Sequence, residues 1–266
     1  MGNLNGLGNA PLTNRRYARG LFLGVAYTWS KCMDIGSGDG SYIRIDNLTH
    51  EAYYGPCDFN VTNNFAANYV YGVPSLASHV AFLNNPAIRG AFTGWQVSGF
   101  TSFINGTPTG PGFSIPGIGN PEITGSYTEP ARVLCLGDPN RGTSDSPYSR
   151  LNPAAFAVPA VGSIGLGCSR NDLKQPGINE WDMSLERIVA LKERVHLRLR
   201  VEAFNVFNHT QFSGIENTIN YSRLTNPTIT SLPYDSSGNL VNKFGFGAIS
   251  GVRSPRILQL VAKIEF

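Results

Sequence analysis

Charge is scarce in this sequence: Asp, Glu, Lys and Arg make up 15% of its 266 residues, and the net charge is +3. Lys and Arg occur singly or in pairs, which excludes the basic stripe that nucleic-acid binding requires. Long apolar runs are missing too, and no window approaches the roughly 20 apolar residues of a membrane helix. The mean hydropathy of −0.12 does not exclude a membrane barrel, whose strands alternate apolar and polar side chains and average to nothing unusual. The four histidines (His50, His79, His196 and His209) are scattered, and no Gly-x-Ser-x-Gly elbow or His-Glu-x-x-His helix occurs. Catalysis therefore has no candidate residues, and neither an enzyme nor a cofactor is expected. The four cysteines form no Cys-x-x-Cys pair, which argues against a zinc site, and no metal is expected. Residues 1–11 lack the basic start and apolar core of a secretory signal, so either export is absent or the chain is incomplete.

What is present points to extended structure. Thirty Gly, 17 Pro and 11% aromatics favour turns and strands over long helices. Over residues 21–29, Leu21, Leu23, Val25, Tyr27 and Trp29 alternate with small or polar residues, a period of two. Residues 65–73 place Phe65, Ala67, Tyr69, Tyr71 and Val73 on one face and stop at Pro74. Residues 95–104 alternate less strictly, while residues 181–188 set Trp181, Met183 and Leu185 against Asp182, Ser184 and Glu186. The sharpest pattern covers 195–203, with Val195, Leu197, Leu199, Val201 and Ala203 opposite His196, Arg198, Arg200 and Glu202. The last covers 258–266, with Leu258, Leu260, Ala262, Ile264 and Phe266 opposite Gln259, Val261, Lys263 and Glu265.

Connections between these segments alternate in length, with long ones at about 32–60, 106–178 and 209–250. A structureless connection of such size counts against a compact soluble domain, whereas outer-membrane barrels combine long extracellular loops with short periplasmic turns. If the final strand runs towards the periplasm, all three long connections fall outside. The same parity predicts aromatic girdles, with Trp29 and Trp181 near the outer interface and Tyr71, Trp95 and Phe266 near the inner one. Four cysteines allow three connectivities. Cys32 with Cys57 and Cys135 with Cys168 is favoured, because each pair falls inside one loop; free thiols are the other reading.

Several stretches resemble the barrel of Oar-like TonB-dependent receptors. They are Arg15-Arg16-Tyr17, Ala26-Tyr27-Thr28-Trp29-Ser30-Lys31, Gly94-Trp95-Gln96-Val97-Ser98-Gly99, Asn152-Pro153-Ala154-Ala155-Phe156, Trp181-Asp182-Met183-Ser184-Leu185, Glu202-Ala203-Phe204-Asn205-Val206-Phe207-Asn208-His209 and Phe244-Gly245-Phe246-Gly247, closing on Phe266. The resemblance spans nearly the whole chain. It implies a larger protein with a carboxypeptidase regulatory-like β-domain, a plug, a TonB-contacting segment and about two dozen barrel strands, of which residues 1–266 would be the C-terminal part. It also implies that Phe266 is read by the barrel-assembly machinery.

The expected fold class is all-β, an antiparallel transmembrane β-barrel segment forming a partial, open, curved sheet of about six to eight strands with long extracellular loops. An open edge in lipid leaves backbone groups unpaired at several kcal/mol each, so both edges are expected to need further strands. Charges at mid-membrane on the lipid side would cost roughly 2–4 kcal/mol per Arg or Lys. His196, Arg198, Arg200, Glu202, Lys263 and Glu265 are therefore assigned to the lumen, and Leu197, Leu199, Val201, Leu258, Leu260 and Ile264 to lipid. The charged residues are read as structural, pairing with plug residues, ahead of a role in handling an anionic or metal-chelate solute. Gly36-Ser37-Gly38-Asp39-Gly40 is read as a flexible loop tip, Gly245-Phe246-Gly247 as a strand-edge feature and His209 as a turn residue that caps backbone groups. The functional expectation is a wall segment of an active transporter in the bacterial outer membrane, with the lipid bilayer, the plug, the remaining strands and TonB as partners and no nucleic acid. The alternative is a secreted β-sandwich or adhesin-like binding module.

Overall fold

The computed structural model describes residues 12–18, 20–37, 53–74, 93–125, 131–144, 146–165 and 167–266. Seven strands form one sheet in chain order: β1 (Leu12–Ala18), β2 (Leu21–Trp29), β3 (Asn63–Gly72), β4 (Trp95–Ile104), β5 (Ile178–Lys192), β6 (Val195–Phe204) and β7 (Ile257–Glu265). Every neighbouring pair is antiparallel. With seven alternating strands, edge strands β1 and β7 run in the same direction. Gly20, at φ 80°, makes the tight turn from β1 to β2, a conformation that costs a glycine little.

Strand β5 is longer than its alternation over residues 181–188 indicates. The reason is stagger: β4 pairs with Ile178 through Arg187 and β6 with Met183 through Lys192. Each neighbour supports a different stretch, an offset of the kind that accompanies strand tilt in barrels. Strand β1 has no clean alternation, and it is held by its hairpin register, Thr13 opposite Val25 and Asn14 opposite Gly24.

All three long connections, 30–62, 105–177 and 205–256, leave the same end of the sheet. They are not structureless. Short ladders join Pro108–Thr109 to Leu173–Lys174, Leu134–Cys135 to Phe156–Ala157 and Phe212–Ile215 to Ile249–Val252. Gly112–Ser114 lies parallel to Thr218–Asn220, bonding the second connection to the third. Disulfides join Cys32 to Cys57 and Cys135 to Cys168.

Every fully buried apolar residue among the described residues lies in these connections and none in β1–β7. Phe113, Ile123, Phe156, Leu173, Ile219 and Phe246 lie in one cluster. Gly245-Phe246-Gly247 is therefore not a strand edge. Phe246 is 1% exposed and meets Phe156 edge-on at 5.5 Å, so two of the motifs quoted above pack against each other. Gly247 is required there, since its φ is 79° and a Cβ would stand 3.0 Å from the Leu151 nitrogen. Of the stretch 36–40, only Gly36 and Ser37 are described; the Ser37 hydroxyl donates to Asp34 at 2.8 Å and accepts from the Asp58 N–H at 2.9 Å.

Candidate functional site

Antiparallel register puts paired residues on the same face, so the two faces of the sheet can be read row by row. One face carries Leu197, Leu199 and Val201 of β6 beside Ile264, Ala262 and Leu260 of β7, with Leu258 opposite Ala203. It continues through Met183 and Leu185 to Gly99 and Val97, then to Tyr69 and Tyr71, and ends at Leu23 and Leu21. No second layer covers it among the described residues. Leu258, Leu260 and Ile264 are 62%, 79% and 53% exposed, so these side chains do not converge on a dry interior as a sandwich would require.

This apolar face is bounded at both ends by rings. Tyr27, Phe65 and Phe103 stand in one row at the long-connection end. Phe65, Phe103, Trp181 and Phe207 touch in succession at 5.7, 5.7 and 5.5 Å, with Trp29 two residues beyond Tyr27. Tyr71 and Trp95 mark the opposite end, where Arg187 lies 5.7 Å from the Trp95 ring centre and where Phe266 follows β7. Phe103 and Trp95 are eight residues apart, about 27 Å along the strand. At a tilt of 35–45° that is about 20 Å of height, near the roughly 25 Å apolar band of outer-membrane barrels. All three tryptophans of the chain, Trp29, Trp95 and Trp181, lie on this face.

The opposite face is ionised. His196 stands opposite Glu265, Arg198 opposite Lys263 and Glu202 opposite Gln259. Arg198 Nη1 donates to Glu186 at 2.8 Å and its Nε to Glu265 at 3.1 Å. Arg200 Nη2 reaches Glu202 at 2.7 Å and its Nη1 lies 3.8 Å from Glu186, while Lys263 Nζ lies 3.2 Å from Glu265. Three cations thus meet three carboxylates within the sheet, and the charges of this network cancel. Glu186 is the hub and is absent from the sequence-derived candidates. Its alternation with Met183 and Leu185 is visible in the sequence, but its partners depend on the registers of β5 with β6.

Beside this network a cleft of about 280 Å³ runs across Asn68, Phe100, Asp182 and Phe204, which stand side by side in register. In its floor the Ser98 and Ser184 hydroxyls are 2.7 Å apart. Above it, the turn after β6 is built by left-handed Asn205 and Asn208, both at φ 50°, a region that Asn tolerates. Asp182 Oδ1 accepts the Asn205 N–H at 2.9 Å, and Asn205 Nδ2 donates to the His209 carbonyl at 3.0 Å. Asn205 and Asp182 therefore do the capping assigned to His209, whose own Nε2 is buried without a hydrogen-bond partner.

The first and second connections are latched by Arg170, whose Nη2 bonds Asp34, Ser37 at 2.6 Å and the Pro56 carbonyl at 3.3 Å. Asp34 lies near Cys32 and Cys57, but those sulfurs are bonded to each other, which leaves no thiolate ligands there. In the loop core the Tyr221 hydroxyl is buried without a partner, and burial pushes its pKa up to about 12.

A family model described as an outer membrane beta barrel domain matches residues 11–259. The chain belongs to this family. No curated protein matches it and no solved structure does. The match covers β1 to β6 and reaches into β7, so the barrel domain contains both faces and all three long connections. Its place is the bacterial outer membrane, where an uncovered apolar sheet face between two bands of rings is the ordinary arrangement.

Proposed function

We propose that the barrel domain forms part of the wall and outer entrance of a TonB-dependent transporter, an Oar-like receptor for active uptake of a solute. In this reading Leu197, Leu199, Val201, Leu258, Leu260 and Ile264 meet acyl chains. His196, Arg198, Arg200, Glu202, Lys263 and Glu265 face the lumen, with Trp29 and Trp181 at the outer interface and Tyr71, Trp95 and Phe266 at the inner one. The observation that carries it is the sorting of the sheet. Every charge in the Arg198 network lies on one face, and the other holds apolar rows between aromatic bands. The reverse orientation would put Arg198, Arg200 and Lys263 into lipid, where each would cost up to roughly 2–4 kcal/mol.

Because β1 and β7 run in the same direction, an odd number of further strands completes an antiparallel wall, which gives an even total. Those strands, an N-terminal plug, the TonB-contacting segment and the barrel-assembly machinery acting on Phe266 are the partners this reading requires. It gives no residue a catalytic role and no cofactor a place. The self-neutralised charges support a structural wall, and the folded loops support a shaped entrance above it.

The test is uptake of labelled metal chelates, vitamins, sugars and peptides by cells expressing the full-length protein, before and after collapse of the proton-motive force. Uptake of one class that stops on collapse is the expected result. Uptake that continues unchanged would make the domain a passive pore and overturn the active-transport reading.

A further inference from the structure

A groove of about 230 Å³ lies where the first two long connections meet, lined by Trp29, Lys31, Pro56, Asn60, Pro108 and Lys174. The Ser30 N–H donates to the Thr62 carbonyl at 3.0 Å, so the β2–β3 ladder runs one step past Trp29. The alternation then brings Lys31 to the apolar side, two residues beyond the ring band, or about 7 Å along the strand. That is the level of lipid headgroups, where aromatic belts sit. Lys174 reaches the same groove from the second connection, through its pairing with Pro108.

No ion pair of Lys31 or Lys174 exists among the described residues, and the nearby carboxylates are engaged elsewhere. Asp34 is bridged to Arg170. Asp58 lies 3.5 Å from Arg170 and accepts from Asn171 Nδ2 at 2.7 Å. The frame is cross-linked within the chain: Asn60 accepts the Cys32 N–H at 2.8 Å, Asn171 donates to the Pro56 carbonyl at 2.7 Å and Cys32 is bonded to Cys57. A preformed groove with two cations favours a doubly charged anion, and lysine is a common phosphate binder. Trp29 and the two prolines suit the apolar part of the molecule that carries that phosphate.

We propose that this groove binds the phosphate of an outer-leaflet lipid headgroup and so anchors the loop module to the membrane surface. The lipid source is favoured over a soluble phosphate because Trp29, which belongs to the apolar face and not to the ion-paired one, lines the groove. The proposal rests on the reading that the apolar face meets lipid.

The test uses the full-length protein, stripped of lipid in detergent and titrated with a diphosphorylated diglucosamine lipid or its dephosphorylated form, with binding read by native mass spectrometry. The expected result is a preference of tenfold or more for the phosphorylated lipid. That preference should vanish in the Lys31→Gln/Lys174→Gln double variant and return in the Lys31→Arg/Lys174→Arg variant. An unchanged preference in the Gln variant would overturn the site, and so would a soluble sugar phosphate that binds as tightly as the lipid. Quenching of the three tryptophans by brominated acyl chains in vesicles tests the underlying reading separately. Quenching without phosphate preference overturns the lysine site alone, whereas absence of quenching overturns the lipid-facing assignment itself.

Discussion

Leu260→Arg and Gln259→Arg add the same charge one residue apart in β7, and the two-faced wall predicts opposite outcomes. Leu260 stands opposite Val201, which pairs with Leu185 and through it with Val97, so its row is apolar across four strands. It is the fourth of nine residues in β7, about 10 Å of strand from the outer end, which sets it well inside the membrane band. An arginine on the lipid face near the midplane costs roughly 2–4 kcal/mol. Gln259 stands opposite Glu202, which is already within 2.7 Å of Arg200. A guanidinium at 259 gains a carboxylate neighbour in a partly hydrated setting, so its effect stays within about 0.5 kcal/mol. The variants should therefore differ by about 2–4 kcal/mol, or roughly 30- to 700-fold in the folding equilibrium. The assay is reversible denaturant unfolding of the full-length protein in lipid vesicles, with the folded fraction read by gel mobility of unheated samples. Equal destabilisation would refute the two-faced wall. A reversed order would mean that β7 is out of register by one residue, since such a slip exchanges the faces.

Two further outcomes concern the loop module. Phe246→Ala removes a 1% exposed ring from contact with Phe156, a truncation that costs about 3–5 kcal/mol in a packed core. It should expose the connections at 105–177 and 205–256 to limited proteolysis while the tryptophan signals of β2, β4 and β5 stay native; protection equal to wild type would show that the cluster is not a cooperative core. Burial pushes the Tyr221 phenol up to about 12, above the ordinary value near 10. A raised pKa supports the fold fully below pH 10, and that support is lost as pH rises from 10 towards 12. Absorbance at 295 nm should show one of the eleven tyrosines titrating late, a step missing from Tyr221→Phe.

The wall was legible in the sequence because its determinants are local. A strand with one oily and one wet face shows its period in nine or ten consecutive residues, as β2 and β6 do, and no partner need be known. Strand β1 shows no such period, and the extra length of β5 comes from two neighbours that support different ends of it, which no window over residues 181–188 reveals. The charged face was readable as a face. Glu186 as its hub was not, because that role needs Arg198 and Arg200 placed beside it by register.

The loop module lies beyond local patterns altogether. Phe156 meets Phe246 across ninety positions, and Gly112–Ser114 finds Thr218–Asn220 across more than a hundred. Each contributing stretch is two to four residues long, too short to show a period of its own. Such a module folds only after closure of long loops, whose entropy cost rises slowly with length. The sheet meets that requirement by bringing all three connections to one end, where the ladders, two disulfides and the Arg170 latch complete the closure. The same arrangement explains why the buried core of this chain lies in its connections. The membrane supplies the apolar surroundings of β1–β7, whereas the segments above it must bury their own apolar side chains against one another.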